Sequence, residues 1–179
     1  EDEHCKALKT TEILELPEEL IHFDDESIER YLTHPDRKSL QDAISSDNGD
    51  IAEISQLYCE FLTDHFTTKT LGEGSFGTVF HGKDRNLETK NIQFAVKKLR
   101  CDLSRVSDFE FAQKTFRKEI NILQRFRHPN IVRLFAKSLS QGFTHFLVYE
   151  LGPRLSLEHV LKHKNQELYW SRRISILAD

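Results

Sequence analysis

The sequence predicts an α+β fold, a half-covered sheet of short antiparallel strands with one long helix packed against it. Three observations carry this. After residue 66 the chain breaks into short runs rich in Val, Ile and Phe: "TVFHG" (78–82), "IQFAVKKL" (92–99), "IVRLFAKS" (131–138) and "THFLVYEL" (144–151). Between the second and third of these lies one extended helical pattern, running to about Arg127. And three of only seven glycines, Gly72, Gly74 and Gly77, crowd into "LGEGSFGTVF" (71–80).

The elements are taken in chain order. Residues 1 to about 50 are acidic and weakly patterned. Within them, "LPEELIHFDDESIERYL" (16–32) sets Leu20, Phe23 or Asp24, Ile28, Tyr31 and Leu32 at helical spacing and stops before Pro35. "SSDNGD" (45–50) reads as a turn or linker. "IAEISQLYCEFLTDHF" (51–66) places Ile51, Ile54, Tyr58, Phe61 and Leu62 on one stripe, which predicts a helical lead-in over 51–65. The long helix opens on "SDFE" (107–110), a capping box in which Ser107 accepts from the Glu110 amide and Glu110 reaches back. It ends before "HPN".

Bulk properties narrow the function. Of 179 residues, 38% are hydrophobic and 30% charged, the balance of a soluble globular protein. A net charge of −4 supplies no basic field for nucleic acid or anionic membrane. Cys5, Cys59 and Cys101 are odd in number and far apart, which favours reduced thiols over disulfides or a zinc site. No apolar run approaches a membrane span, and no signal-peptide pattern opens the chain. No Met occurs, position 1 included. The expectation is a chain cut or processed at its N-terminus, and suspect at its C-terminus as well.

The glycines raise the first chemical question. A loop that lets a phosphate approach its backbone needs residues without Cβ and free N–H groups. A purely structural glycine turn fits the same residues. So does a dinucleotide-binding turn, although that should lead into a helix, and "TVFHGKD" reads as the return strand of a hairpin. In "FAVKKL", Ala95 and Lys97 share one strand face while Val96 and Lys98 share the other. That pairing suits a flat adenine beside a cation for phosphates; two exposed lysines at a strand end is the plainer reading. On the long helix, Phe109, Ala112, Phe116, Leu123 and Phe126 form an apolar stripe with Glu119 inside it. A carboxylate there is costly unless paired, and inward-facing Lys97 is the natural partner, unless Glu119 reaches water from the stripe's edge.

Glycine-rich hairpin, strand lysine and helix glutamate, in that order, resemble a protein kinase small lobe over residues 56 to 179. "LGEGSFGTV" is similar to the loop over the ATP phosphates, "AVKK" to the third strand, and "FRKEINIL" to the helix carrying the lysine's glutamate. "HPNIVRL" and "LVYE" are similar to the following turn and to the strand that enters the hinge. "LTDHFTTKTLGEGSFG", "LVYELGPRLSL" and "YWSRRISIL" resemble one branch, the interleukin-1-receptor-associated, Pelle and plant receptor-like kinases. Leu155 and Gly152 depart from that branch's usual Gly and Met.

The resemblance implies a five-stranded antiparallel sheet plus one long helix over 66–150, then the hinge and the first large-lobe helices over 151–179. It implies ATP and Mg²⁺ as cofactors and transfer to a protein Ser or Thr hydroxyl. Lys97 would bind the α- and β-phosphates and Glu119 would fix Lys97. Leu71, Gly72, Glu73, Gly74, Ser75, Phe76, Gly77, Thr78 and Val79 would cover the nucleotide, with Val79 and Ala95 sandwiching adenine. Tyr149 would be the gatekeeper, and Glu150, Leu151 and Gly152 the hinge. Implied partners are a protein substrate and an upstream receptor or adaptor, with no nucleic acid and no membrane segment, in the cytoplasm or on the cytoplasmic side of a receptor. Neither HRDxxxxN nor DFG occurs, so the catalytic Asp and the metal ligands are expected beyond Asp179, in a truncated domain. The rival reading from another class is a pseudokinase scaffold.

Overall fold

The computed structural model describes residues 25–46, 48–84, 92–99, 106–138, 144–153, 156–163 and 168–178. The expected helix over 16–32 is described from Asp25 onward; Cys5, Cys101 and Leu155 lie outside the described residues.

The elements run α1 (Asp25–Leu32), α2 (Pro35–Ser45), β1 (Ala52–Ile54), α3 (Gln56–Leu62), β2 (Thr70–Gly74), β3 (Gly77–Lys83) and β4 (Gln93–Leu99). Then come α4 (Val106–Leu123), β5 (Leu134–Ser138), β6 (Phe146–Glu150), α5 (Leu157–His163) and α6 (Trp170–Ala178). The class is α+β, as the sequence predicts.

The sheet has six strands rather than five, in the order β1-β5-β6-β4-β3-β2, and it is mixed. The extra strand is β1, parallel to β5, with Ala52 opposite Ala136 and Ile54 opposite Ser138. It takes the place of the first turn of the helix expected over 51–65. The helix starts later because the Ser55 hydroxyl caps it, accepting from the Tyr58 amide at 3.2 Å.

The sheet is covered on both faces, not one. Along β6 the side chains alternate. Phe146 and Val148 join Phe94, Val96, Leu40, Ile54, Tyr58 and Leu62 in one buried cluster. Leu147 joins Leu99, Leu134, Phe116 and Ile120 in another, under α4. The first cluster is built largely by residues 31–62, including Tyr31 and Leu40 from the weakly patterned N-terminal part. Each such side chain contributes about 1.5–3 kcal/mol when fully buried, so this segment is part of the core. It is also pinned by polar contacts. The Tyr31 hydroxyl donates to Asp84 at 2.6 Å, and Asp36 accepts from the Ser55 amide at 2.7 Å. Burial pushes the thiol of Cys59 up, which keeps it protonated.

Other boundaries differ in detail. The strand expected at 131–138 begins only at Leu134, because Ile131 is tied into a turn by its amide bond to His128 O. α4 begins at Val106 and stops at Leu123 instead of near Arg127, and the Ser107 side chain of the expected capping box lies outside what the structure describes. Phe126 consequently falls off the apolar stripe and is 59% exposed, while Ile120, not singled out by the spacing, is buried.

Candidate functional site

Strand β4 sets the site. Phe94 and Val96 point into the core, so Ala95 and Lys97 must face the α4 side. On α4, Phe116 and Ile120 are buried against the sheet. That packing brings Glu119, on the flank of the same surface, over Lys97. Lys97 Nζ donates to Glu119 Oε1 at 2.9 Å and Oε2 at 2.7 Å. The side chains are 21% and 25% exposed, so the pair is partly shielded from water. The Tyr149 hydroxyl also donates to Glu119 Oε1. Tyr149 stands opposite Ala95 in the β4–β6 ladder, two residues from Lys97. Its phenol is pushed well up, first by burial and then by the hydrogen bond to Glu119. Lys98 points to the other face, where its ammonium lies 4.5 Å from the Phe66 ring centroid. It is a packed cation on an aromatic rather than a freely solvated lysine.

The glycine-rich stretch forms the β2–β3 hairpin, Gly72 opposite Val79 and Gly74 opposite Gly77. No dinucleotide-type helix follows it; β3 does. The three glycines have different causes. Gly77 has φ +146°, and a Cβ there would stand 2.2 Å from Lys98 O, so the backbone itself demands glycine. A Cβ at Gly72 or Gly74 would meet nothing within 4 Å. Internal packing therefore does not require glycine at either position.

Val79 faces Lys97 across the β3–β4 ladder, and Thr78 faces Lys98. Leu71, Glu73, Ser75 and Phe76 are exposed along β2 and the turn. The Phe76 ring stacks on Phe111 of α4 at 6.3 Å between centroids, tying the hairpin tip to the helix. The apolar spacing of α4 does not single out Phe111; its signal in the sequence is a large aromatic on α4 outside that stripe. Glu150 ends β6, and Leu151 and Gly152 continue without regular structure. The structure thus places Val79 of the hairpin, Ala95 and Lys97 of β4 and Tyr149 of β6 on neighbouring strands, with Glu119 of α4 bonded to Lys97 and Tyr149.

A lysine beside an open glycine-bearing backbone is a donor set that would suit a nucleoside triphosphate. Lys97 Nζ reaches both Glu119 oxygens while carrying three N–H groups, and the space around Gly72 and Gly74 where a Cβ would stand is open.

The model of the family described as protein tyrosine and serine/threonine kinase matches residues 66–179, and the chain belongs to that family. Its relatives include both arms of the branch indicated by the sequence. The chain is 40% identical over 113 residues to the L-type lectin-domain containing receptor kinase V.9 of Arabidopsis thaliana, covering 63% of this chain and 15% of that one. It is 36% identical over 150 residues to cysteine-rich receptor-like protein kinase 22 of the same plant, covering 79% and 21%. It is 36% identical over 130 residues to interleukin-1 receptor-associated kinase 1 of Mus musculus, covering 70% and 16%. The chain therefore spans roughly a fifth or less of the length of these relatives. Among the described residues no helix is long and apolar enough to cross a membrane.

Proposed function

We propose that this chain is the ATP-binding part of a protein kinase that phosphorylates Ser or Thr hydroxyls of a protein substrate in signalling. The observation that carries the reading is the two-oxygen contact of Lys97 with Glu119 on the strand beside a hairpin whose Gly72 and Gly74 are not needed for packing.

ATP supplies the transferable phosphoryl group, with Mg²⁺ neutralising its charge. The chain's own residues supply position. Glu119 holds the Lys97 ammonium so that its remaining N–H addresses the α- and β-phosphates. Gly72, Gly74 and Gly77 let backbone amides approach the anion without side-chain interference. Val79 and Ala95 flank adenine, Tyr149 limits the space behind it, and Glu150 to Gly152 offer backbone groups to its edge. Leu71, Glu73, Ser75, Phe76 and Thr78 complete the cover. On this reading residues 66–150 are the small lobe and 151–179 the hinge and the start of the large lobe. Protein substrate and an upstream receptor or adaptor are the partners, and the setting is cytoplasmic.

The residues that would act as base and bind metal in this family's HRDxxxxN and DFG motifs have no counterpart in these 179 residues. The 179-residue chain should therefore bind nucleotide weakly and turn nothing over. Expressing it beside a longer chain that includes those motifs, and measuring ATP binding and phosphoryl transfer to protein, tests the proposal. Activity in the longer chain that is lost on Lys97→Met supports it. Turnover by the short chain overturns the site assignment, and an inactive longer chain with both motifs intact overturns the kinase reading in favour of a scaffold.

A further inference from the structure

Arg133 stands one residue ahead of β5, and its two ends hold different parts of the molecule. Its guanidinium donates from Nη1 to Ile44 O at 3.0 Å, and from Nη2 to Ala43 O and Ser46 O at 2.6 Å each. Ala43, Ile44 and Ser46 lie at the C-terminal end of α2. Carbonyls there lack intrahelical partners and carry the negative end of the helix dipole. α2 has no basic residue in its own last turn, so the closing cation comes from across the fold. Arg127 Nη2 adds an exposed bond to Ser46 O at 2.9 Å.

The backbone of the same residue points elsewhere. Arg133 O accepts from the Glu150 amide at 2.9 Å, and Glu150 is the first of the three hinge residues. The following residue, Leu134, is paired with Tyr149 in the β5–β6 ladder. A single residue therefore grips α2 with its side chain and the start of the hinge with its main chain. α2 itself lies outside the residues that match the kinase family.

We propose that Arg133 is a positioning residue through which α2 sets the placement of the hinge backbone at Glu150. Three bonds from one planar fork fix the guanidinium and hence the peptide that follows it; a lysine, with a single mobile ammonium, cannot reproduce that fork. With the fork gone, the Arg133 carbonyl is held only through the pairing that begins at Leu134, and the acceptor of the Glu150 amide is less firmly fixed.

The test is residue-resolved hydrogen exchange on the 179-residue chain and on Arg133→Met, Arg133→Lys and Lys137→Met variants. Lys137→Met is the comparison, since it breaks the 2.9 Å ion pair to Glu53 that joins β5 to β1 without touching the hinge. The Glu150 amide should exchange roughly tenfold faster in Arg133→Met, less so in Arg133→Lys, and at the parent rate in Lys137→Met. If α2 amides speed up in Arg133→Met while Glu150 does not, Arg133 is only a strut for α2 and the proposal fails. It fails equally if Lys137→Met loosens Glu150 as much. Should Arg133→Met not fold, Arg133→Lys decides by the same criterion. A second arm rests on the nucleotide reading above: calorimetric affinity for adenosine should fall several-fold in Arg133→Met, with affinity for inorganic tripolyphosphate unchanged. A parent that binds neither probe counts against the nucleotide reading, while the exchange result still judges the clamp.

Discussion

The Tyr149 hydroxyl and the Lys97 ammonium share one acceptor, Oε1 of Glu119. A helix carboxylate is thus held from two strands at once, β4 and β6. Because burial and Glu119 both push the phenol up, Tyr149 stays protonated, and stays a donor, throughout the neutral range. Tyr149→Phe should cost about 1.5–3 kcal/mol, the range for a hydrogen bond to a charged group, read as a lower urea midpoint at unchanged slope. Tyr149→Ala should additionally admit an ATP analogue enlarged at the exocyclic amine. A Phe variant as stable as the parent would remove Tyr149 from the network.

Lys97 and Lys98 are adjacent and should behave differently. Lys97→Ala leaves Glu119 without its cation; on the proposed function, in a chain that carries the HRDxxxxN and DFG motifs, it should lower phosphoryl transfer by roughly two orders of magnitude or more. Lys98→Ala removes a contact with Phe66 worth about 0.5–1 kcal/mol and should show in stability but hardly in transfer. A double-mutant cycle between Lys97 and Glu119 should return a coupling of at least about 0.5 kcal/mol. A coupling of zero would contradict the pair.

Alanine should separate the glycines. At Gly77 the added methyl meets Lys98 O in a backbone conformation that L-residues rarely adopt, so Gly77→Ala should lower the thermal midpoint by several degrees. Gly74→Ala places its methyl in open space and should leave the midpoint within about a degree. Its cost should appear in ATP affinity instead. Equal midpoints for the two variants would show that the hairpin tolerates Cβ at both sites.

Acid should weaken the fold partly through His145. This residue is 1% exposed, its ring stacked on Phe116 at 4.5 Å. Its pKa is lowered, first by burial and then by the nearby Arg117. A histidine depressed in the folded state binds fewer protons there than when unfolded. Its contribution is complete above the unfolded value of about 6.5 and is lost as pH falls through that value toward the folded one. Denaturation midpoints measured from pH 7.5 downward should fall for the parent and less steeply for His145→Phe. Parallel curves would exclude His145 as a source of acid sensitivity.

How far the sequence could be read varied with how sharply each residue's chemistry narrowed the options. Glu119 announced itself because a charge on an apolar stripe needs a cation, and strand alternation left Lys97 rather than Lys98 facing it. The N-terminal elements carried no such constraint. α2 buries only Leu40 and Ala43, too little to impose a clear period, and its terminal carbonyls are closed by an arginine nearly 90 residues on. Across 51–62 the spacing of Ile51, Ile54 and Tyr58 suits a helix, yet it spans a strand, a cap and a shorter helix. Ser55, whose hydroxyl caps the shorter helix, is one polar residue inside that stripe and does not disturb its spacing. The glycines show a third limit: one motif, with identical residues, covers two physical causes that only the backbone geometry separates.

β1 has a consequence for how the chain behaves when shortened. In the strand order, β5 is internal only because Ala52–Ile54 lies beside it. A version starting at residue 66, where the family match begins, would leave the outer edge of β5 unpaired, and the cluster that holds Phe135 and Phe146 would lose Leu40, Ile54 and Tyr58. An open strand edge next to a greasy face is a template for another copy of the same chain. Such a version should sediment as multimers, whereas one starting at residue 25 should remain closer to monomeric at the same concentration.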